Sequence, residues 1–297
     1  MRTSRYKKTA DIPKMEYEIG FHGALIDERS TAGVSFLKNR TISPIELKYD
    51  ASNFILEIGG KPFSEAAYQS YFASLKGKTV ILEATSLGFP EIFLVLSNSI
   101  GAQISILYCE PMSYRMNSYG FDSPSPDYSL TTSFAGFFPI PDRFIDFGSE
   151  TVKRGVLFLG FESSRIERLF EDFEIDPNRM EVVVGLPPFQ PGWELSTYSA
   201  NIDVLMNRGV NNSLHYCTAN NPKQVVERLI QIKAGLATNE TLFVAPFGTK
   251  PHGVGAAIFC AQNPDVAIVF DHPIRSQGRT ENISAFHLFE LDPSGLH

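Results

Sequence analysis

"TLFVAPFGTKPHGVGAAIFCAQNPDVAIVFDHP", residues 241–273, decides the fold. It opens on an apolar run of strand length, LFVAP, and closes on a second, VAIVF. Between them lie a polar turn with Gly and Pro and a stretch of small apolar residues long enough for a helix. Strand, turn, helix and strand in that order make the βαβ unit of a parallel sheet. Both runs are apolar at consecutive rather than alternate positions. A strand reads that way when helices cover both faces of its sheet.

The same grammar recurs over residues 19–50, 80–111 and 155–188, with the strand runs VILEA, VLFLG and VVVGL. Laying 80–111 on 241–273 sets Pro90 against Pro251 and Pro111 against Pro273, at separations of 21 and 22 residues. Laying 19–50 on 155–188 sets LIDERS against LGFESS, with Glu28 opposite Glu162 and Ser30 opposite Ser164. The expectation is an α/β protein of duplicated Rossmann-like units, with a mainly parallel sheet covered by helices on both faces. Any two βαβ units would align in this manner, so common descent is not claimed. The halves are placed at 1–118 and 151–297. The Pro-, Ser- and aromatic-rich stretch 119–150 has no helical period and reads as a connecting insertion. Residues 221–238 form the clearest amphipathic helix, with Val225, Leu229, Ile232 and Leu236 on one face. The alternating stretch 285–293 suits a closing edge strand.

Composition bounds the function. With 43% hydrophobic and 20% charged residues in 297, the chain has ample material for a core. A net charge of −7 argues against nonspecific nucleic-acid binding. Cys109, Cys217 and Cys260 lie far apart and form no C-x-x-C. That speaks against a disulfide framework or a zinc knuckle and fits a reducing, cytoplasmic compartment. The basic N-terminal stretch lacks the apolar core of a signal peptide. The most apolar stretch, IFLVLSNSIGAQISILY, is broken by polar residues, so no membrane span is expected.

In an open parallel sheet, ligands collect beyond the carboxyl ends of the strands. Four turns fall there: Asp27–Ser30, Thr85–Gly88, Gly160–Ser164 and Gly248–Gly253. Helix N-termini offer N–H groups and partial positive charge, and small or hydroxyl residues admit an anion. Gly248, Thr249, Lys250, His252 and Gly253 are therefore candidate ligand contacts, as are Ser30, Ser164 and Arg275. Each also has a plain structural reading: Ser and Thr cap helices, and Gly makes turns. No P-loop or G-x-G-x-x-G is present, and Gly253 and Gly255 read as helix-packing positions. His252, Asp271 and His272 are candidate acid–base groups. Residues 185–201, with the single Trp193, either stack a base or pack as a lid. No metal-ligand cluster is visible, so no metal and no cofactor are expected.

At FGTKPHGVGAA the sequence resembles the CARF-type Rossmann-like sensors of prokaryotic defence systems, through Gly248, Thr249 and Lys250. The turn 27–30, DERS, also resembles the S-F-E-x-R turn of Rossmann-like proteins encoded near defence genes. The CARF resemblance implies binding of a cyclic oligonucleotide at a dimer interface. CARF domains usually precede a separate effector, whereas here the G-T-K turn lies near the end of the sequence. The favoured expectation is a sensor, or a component of an antiphage-type assembly, that binds a nucleotide or another phosphorylated small molecule. It leaves room for a homodimer and a protein partner. An enzyme using His252, Asp271 or His272 and a scaffold without a small-molecule site remain open.

Overall fold

The computed structural model describes residues 1–115, 128, 130–210 and 213–292. The chain forms two compact units, Met1–Tyr114 with Ser276–His297, and Arg115–Arg275.

The first unit begins with β1 (Arg2–Tyr6), β2 (Tyr17–His22), α1 (Glu28–Lys38) and β3 (Thr41–Asp50). A hairpin of β4 (Ile55–Ile58) and β5 (Lys61–Phe63) follows, then α2 (Glu65–Ala73), β6 (Thr79–Glu83), α3 (Phe89–Asn98) and β7 (Gln103–Tyr114). The chain returns at its end to add β15 (Thr280–Glu290). The eight strands form one sheet in the order β1-β15-β7-β6-β2-β3-β4-β5. Its centre, β7-β6-β2-β3, is parallel, while β1 and β15 on one side and β4 and β5 on the other are antiparallel additions. Val80, Ile81 and Leu82 are all fully buried. Successive strand residues face opposite ways, so both faces of the sheet are covered. On one of them Phe36 and Leu37 of α1 pack with Ile81, Leu107, Cys109, Phe286 and Leu288.

The second unit contains β8 (Thr131–Phe134), β9 (Val152–Phe158), α4 (Ser164–Asp172), β10 (Met180–Gly185) and α5 (Trp193–Arg208). It continues through β11 (Ser213–Cys217), α6 (Pro222–Ala234), β12 (Glu240–Ala245), α7 (Lys250–Gln262), β13 (Ala267–Ile268) and β14 (Pro273–Arg275). Five strands form a wholly parallel sheet in the order β11-β10-β9-β12-β13, and β14 pairs with β8 in a separate ribbon. Val156–Phe158 and Val182–Val184 are buried without a break, so this sheet too is covered on both faces.

All four βαβ segments read from the sequence are present. The differences lie in their grouping. Beside the two-stranded ribbon there are two large sheets rather than one, and the eight-stranded one is mixed. Residues 276–297 belong to the first unit, not to a C-terminal half, because β15 pairs along nearly all of β7. β15 is also not an edge strand, since β1 pairs on its outer side. Within 119–150, residues 119–127 and 129 lie outside the described residues; Thr131–Phe134 is a strand and 135–150 is irregular. In α6, Val225, Leu229 and Ile232 face the core, while Leu236 falls beyond the helix end.

Candidate functional site

In the second unit the chain leaves β9 through α4 to β10, then crosses back through α6 to β12 on the other side of β9. The strand order reverses between β9 and β12. In open parallel sheets the crevice at that reversal is where ligands bind. Two helices start there, α4 after β9 and α7 after β12. Their loops touch at the strand ends: a Cβ at Gly160 would lie 2.6 Å from the Phe247 carbonyl oxygen.

The start of α7 is self-contained. Thr249 is its N-cap; its hydroxyl accepts from the His252 N–H (3.3 Å) and donates to the Ala219 carbonyl (2.7 Å). Pro251 occupies the second helical position, where a missing N–H costs nothing. Pro90 occupies the same position in α3. Thr249, expected to contact ligand, therefore spends its hydroxyl on the fold. Lys250, the first helical residue, is half-buried, as are Gly248 and Gly253. Gly255 has a packing role, because a Cβ there would lie 2.6 Å from the Pro222 carbonyl oxygen on α6.

The start of α4 differs. Ser163 stands at the N-cap position in helical conformation and makes no capping hydrogen bond. Ser164 is exposed. The first turn of α4 therefore lacks the side-chain acceptor that closes α7. The next residue, Arg165, is buried and holds Asp271 from the far end of β13. Its Nε donates to Oδ2 (2.8 Å) and its Nη2 to Oδ1 (2.5 Å). Nη1 lies 3.4 Å from the Phe247 carbonyl, and the guanidinium sits 4.5 Å from the centre of the Phe247 ring. This fork ties the β9, β12 and β13 loops together.

The expected acid–base groups are held within the fold. Asp271 is fully buried in the Arg165 pair. His252 is fully buried too, packed under the turn, with a Cβ at Gly248 reaching 3.4 Å from its Nδ1 and one at Gly185 reaching 3.6 Å from its Cε1. Its Nε2 lies 3.2 Å from the Thr218 carbonyl, which as an acceptor selects the Nε2–H tautomer. Nδ1 then has a bare lone pair and no partner among the described residues. Burial pushes the His252 pKa down to about 4, so the ring is neutral near pH 7. His272 is half-buried, with φ of 46°, and its Nε2 lies 3.0 Å from the Phe138 carbonyl. The three groups do not hydrogen-bond one another.

Arg275 ends β14 and pairs in register with Thr131, whose hydroxyl donates to Glu162 Oε2 (2.9 Å). The ribbon thus brings Arg275 toward the start of α4. Trp193 begins α5 rather than a loose lid, and packs edge-on against Phe161 and Phe189 at 5.8 and 6.3 Å. Ser30 belongs to the first unit. It is fully buried and saturated: its Oγ accepts from the Ile26 and Asp27 N–H groups and donates to the Asp27 carbonyl.

The sequence reading overlooked Arg165 and its first-unit counterpart Arg29. Each is the second residue of the helix that follows the first central strand of its unit. The alignment of Glu28 with Glu162 ran two residues out of step with this. Among the described residues no helix is long and apolar enough to cross a membrane, and no group of three or more His, Cys, Asp or Glu side chains comes together. Cys109, Cys217 and Cys260 are buried free thiols. The sequence matches no protein-family model and no curated protein.

Proposed function

We propose that the carboxyl edge of the second unit's sheet binds a nucleotide or another phosphorylated small molecule. The observation that carries this reading is the start of α4, which no side chain caps, at the strand-order reversal where α7 also starts with Lys250. N–H groups and a lysine at one crevice suit a phosphate. Ser164, Gly248, Gly253 and Arg275 are the other contacts proposed. Two groups once considered for that role, Thr249 and His252, act instead by shaping the α7 turn. Binding without turnover, as in a sensor or a component of a prokaryotic defence assembly in the cytoplasm, fits the engagement of Asp271 and the neutrality of His252. The resemblance of the G-T-K turn to CARF sensors supports the same role.

The two units are read as copies of one Rossmann-like plan. Support comes from the order β3-β2-β6-β7 matching β10-β9-β12-β13, and from the paired positions of Arg29 with Arg165 and Pro90 with Pro251.

The test is titration of a panel of nucleotides and cyclic oligonucleotides against wild type and Lys250→Ala at matched salt. A charge-assisted hydrogen bond of roughly 1.5–3 kcal/mol corresponds to roughly ten- to a hundredfold in affinity. Equal affinities, or no binding of any member, would remove the crevice as the site.

A further inference from the structure

The first unit holds a second basic cluster, independent of the crevice just described. Residues 278–280 run beside the start of α1 and are stitched to it on both sides of Arg279. The Gly278 N–H donates to the Ile26 carbonyl (2.9 Å). The Thr280 hydroxyl donates to Asp27 Oδ2 (2.6 Å) and accepts from Arg29 Nε (2.9 Å).

Arg29 is fully engaged. Its Nε and Nη2 donate to Asp27 Oδ2 at 3.2 and 2.9 Å, and its Nη1 donates to the Cys109 carbonyl at 3.1 Å. The one carboxylate of the cluster among the described residues, Asp27, is spent on this pair. Burial alone would raise the Asp27 pKa, yet Arg29, Thr280 and the Ser30 N–H hold it at about 2.

Arg279 is different. It is half-buried, its Nε is buried, and that nitrogen has no hydrogen-bond partner among the described residues. Among the described residues it forms no ion pair. Tyr108 and Tyr114 stand close to both arginines. Burial is the main cause of a lowered Arg279 pKa, and the neighbouring Arg29 charge adds to it. Among the described residues two guanidiniums therefore share one carboxylate in a partly dehydrated pocket, and the Nε of the second is left without a partner. A guanidinium so placed is under-compensated, and the group that best completes it is a planar or tetrahedral oxyanion.

We propose that Arg279, held beside Arg29 and Thr280 at the start of α1, is the binding residue of a small oxyanion site in the first unit. The ligand class is a carboxylate or a phosphate monoester, taken in bidentate fashion. Charge selects the anion, and Arg29 with its Asp27 fork positions the site without contacting the ligand.

The experiment uses the full chain and three salts at equal ionic strength: sodium phosphate, sodium succinate and sodium chloride. Thermal midpoints are read for wild type, Arg279→Gln, Arg279→Lys and Lys250→Ala. At about ten times the dissociation constant, the preferred oxyanion raises the wild-type midpoint by roughly 2–4 °C over chloride. Phosphate winning identifies a phosphate ligand, and succinate winning a carboxylate. Arg279→Gln abolishes the rise, Arg279→Lys shrinks it, and Lys250→Ala retains it. The proposal is overturned by equal midpoints in all three salts, by a rise that survives Arg279→Gln, or by a rise lost in Lys250→Ala, which would assign the anion to the other unit. If Arg279→Gln does not fold, Arg279→Lys decides, because an undiminished rise there excludes the planar fork.

Discussion

Two helix starts at matching places use the same residue type to opposite ends. Both α1 and α4 follow the first central strand of their unit, and both carry a buried arginine at the second helical position. At α1 everything is local. Asp27 caps the helix, bonds Ser30 in a reciprocal box and holds Arg29 two residues away. At α4 the side chains are not engaged locally. The N-cap side chain makes no capping bond, and Arg165 reaches across 106 residues of sequence to Asp271. At α1 a side chain takes up the Ser30 N–H, whereas at α4 the Arg165 and Ile166 N–H groups turn back on the Glu162 and Ser163 carbonyls and no side chain caps the helix. The difference shows that equal topology leaves the side-chain engagement of the two helix starts unequal.

Truncating the two arginines separates them most. Arg165→Ala leaves Asp271 buried with its fork gone, a situation that costs roughly 3–5 kcal/mol. Arg29→Ala leaves Asp27 with the Ser30 N–H and the Thr280 hydroxyl, so the cost is nearer 1–3 kcal/mol, the scale of losing bonds to a charged group. Denaturant unfolding followed by hydrogen exchange reads each unit by itself. The paired change Arg165→Met with Asp271→Leu recovers most of the loss if the charge, and not the packing, is at stake. A first unit more sensitive than the second would reverse the comparison.

Acid sharpens it next. His252 has a depressed folded pKa, so its contribution to stability is present above the ordinary histidine value of 6.5 and is lost as pH falls toward about 4. About 2.5 pKa units correspond to about 3 kcal/mol. Glu83, fully buried in the first unit, has the opposite sign. Burial raises its pKa against the Thr85 and Ser86 N–H bonds, so its contribution is present below 4.5 and lost as pH rises. Between pH 6.5 and 4.5 the second unit should weaken while the first does not. Exchange rates at β9 and β6 amides across that range check this, and His252→Gln should flatten the second unit's response. Parallel weakening of both units would show that the histidine is not the cause.

Much of this was legible in the sequence, for a physical reason. Central strands buried on both faces must be apolar at consecutive positions, and three of the four βαβ segments declared themselves so. The rest was carried by residues whose meaning depends on distant partners. Arg165 in SSRIE is indistinguishable from a solvated arginine until Asp271 is brought beside it. The start of α5 was hidden because two of its inward residues, Thr197 and Asn201, are polar; the spacing 197, 201, 204 and 205 is helical once they are counted with Val204 and Leu205. The membership of β15 was hidden because a strand's sequence does not say which sheet it joins. At the site, Lys250 was readable as charge near a helix start, but the occupation of Thr249 and Asp271 was not, since hydrogen-bond partners 30 and 106 residues away leave no local mark.

The smallest expected effect returns to the serines that the sequence sets opposite each other. Ser30 Oγ is bonded to two N–H groups and a carbonyl in a fully buried cap. Ser30→Ala strips both N–H groups of their acceptor at once, and caps of this kind are worth roughly 0.5–2 kcal/mol. Ser164 is exposed and belongs to a helix start that makes no cap bond, so Ser164→Ala should stay within about 0.5 kcal/mol of wild type. The two variants remove the same atom from corresponding turns, so side-chain entropy and helix propensity largely cancel between them. What remains is whether the hydroxyl is engaged by the fold. Urea midpoints of the two variants measure it directly. If Ser164→Ala destabilised as much as Ser30→Ala, the start of α4 would have to be closed by its own side chains, and the contrast with α1 would fail.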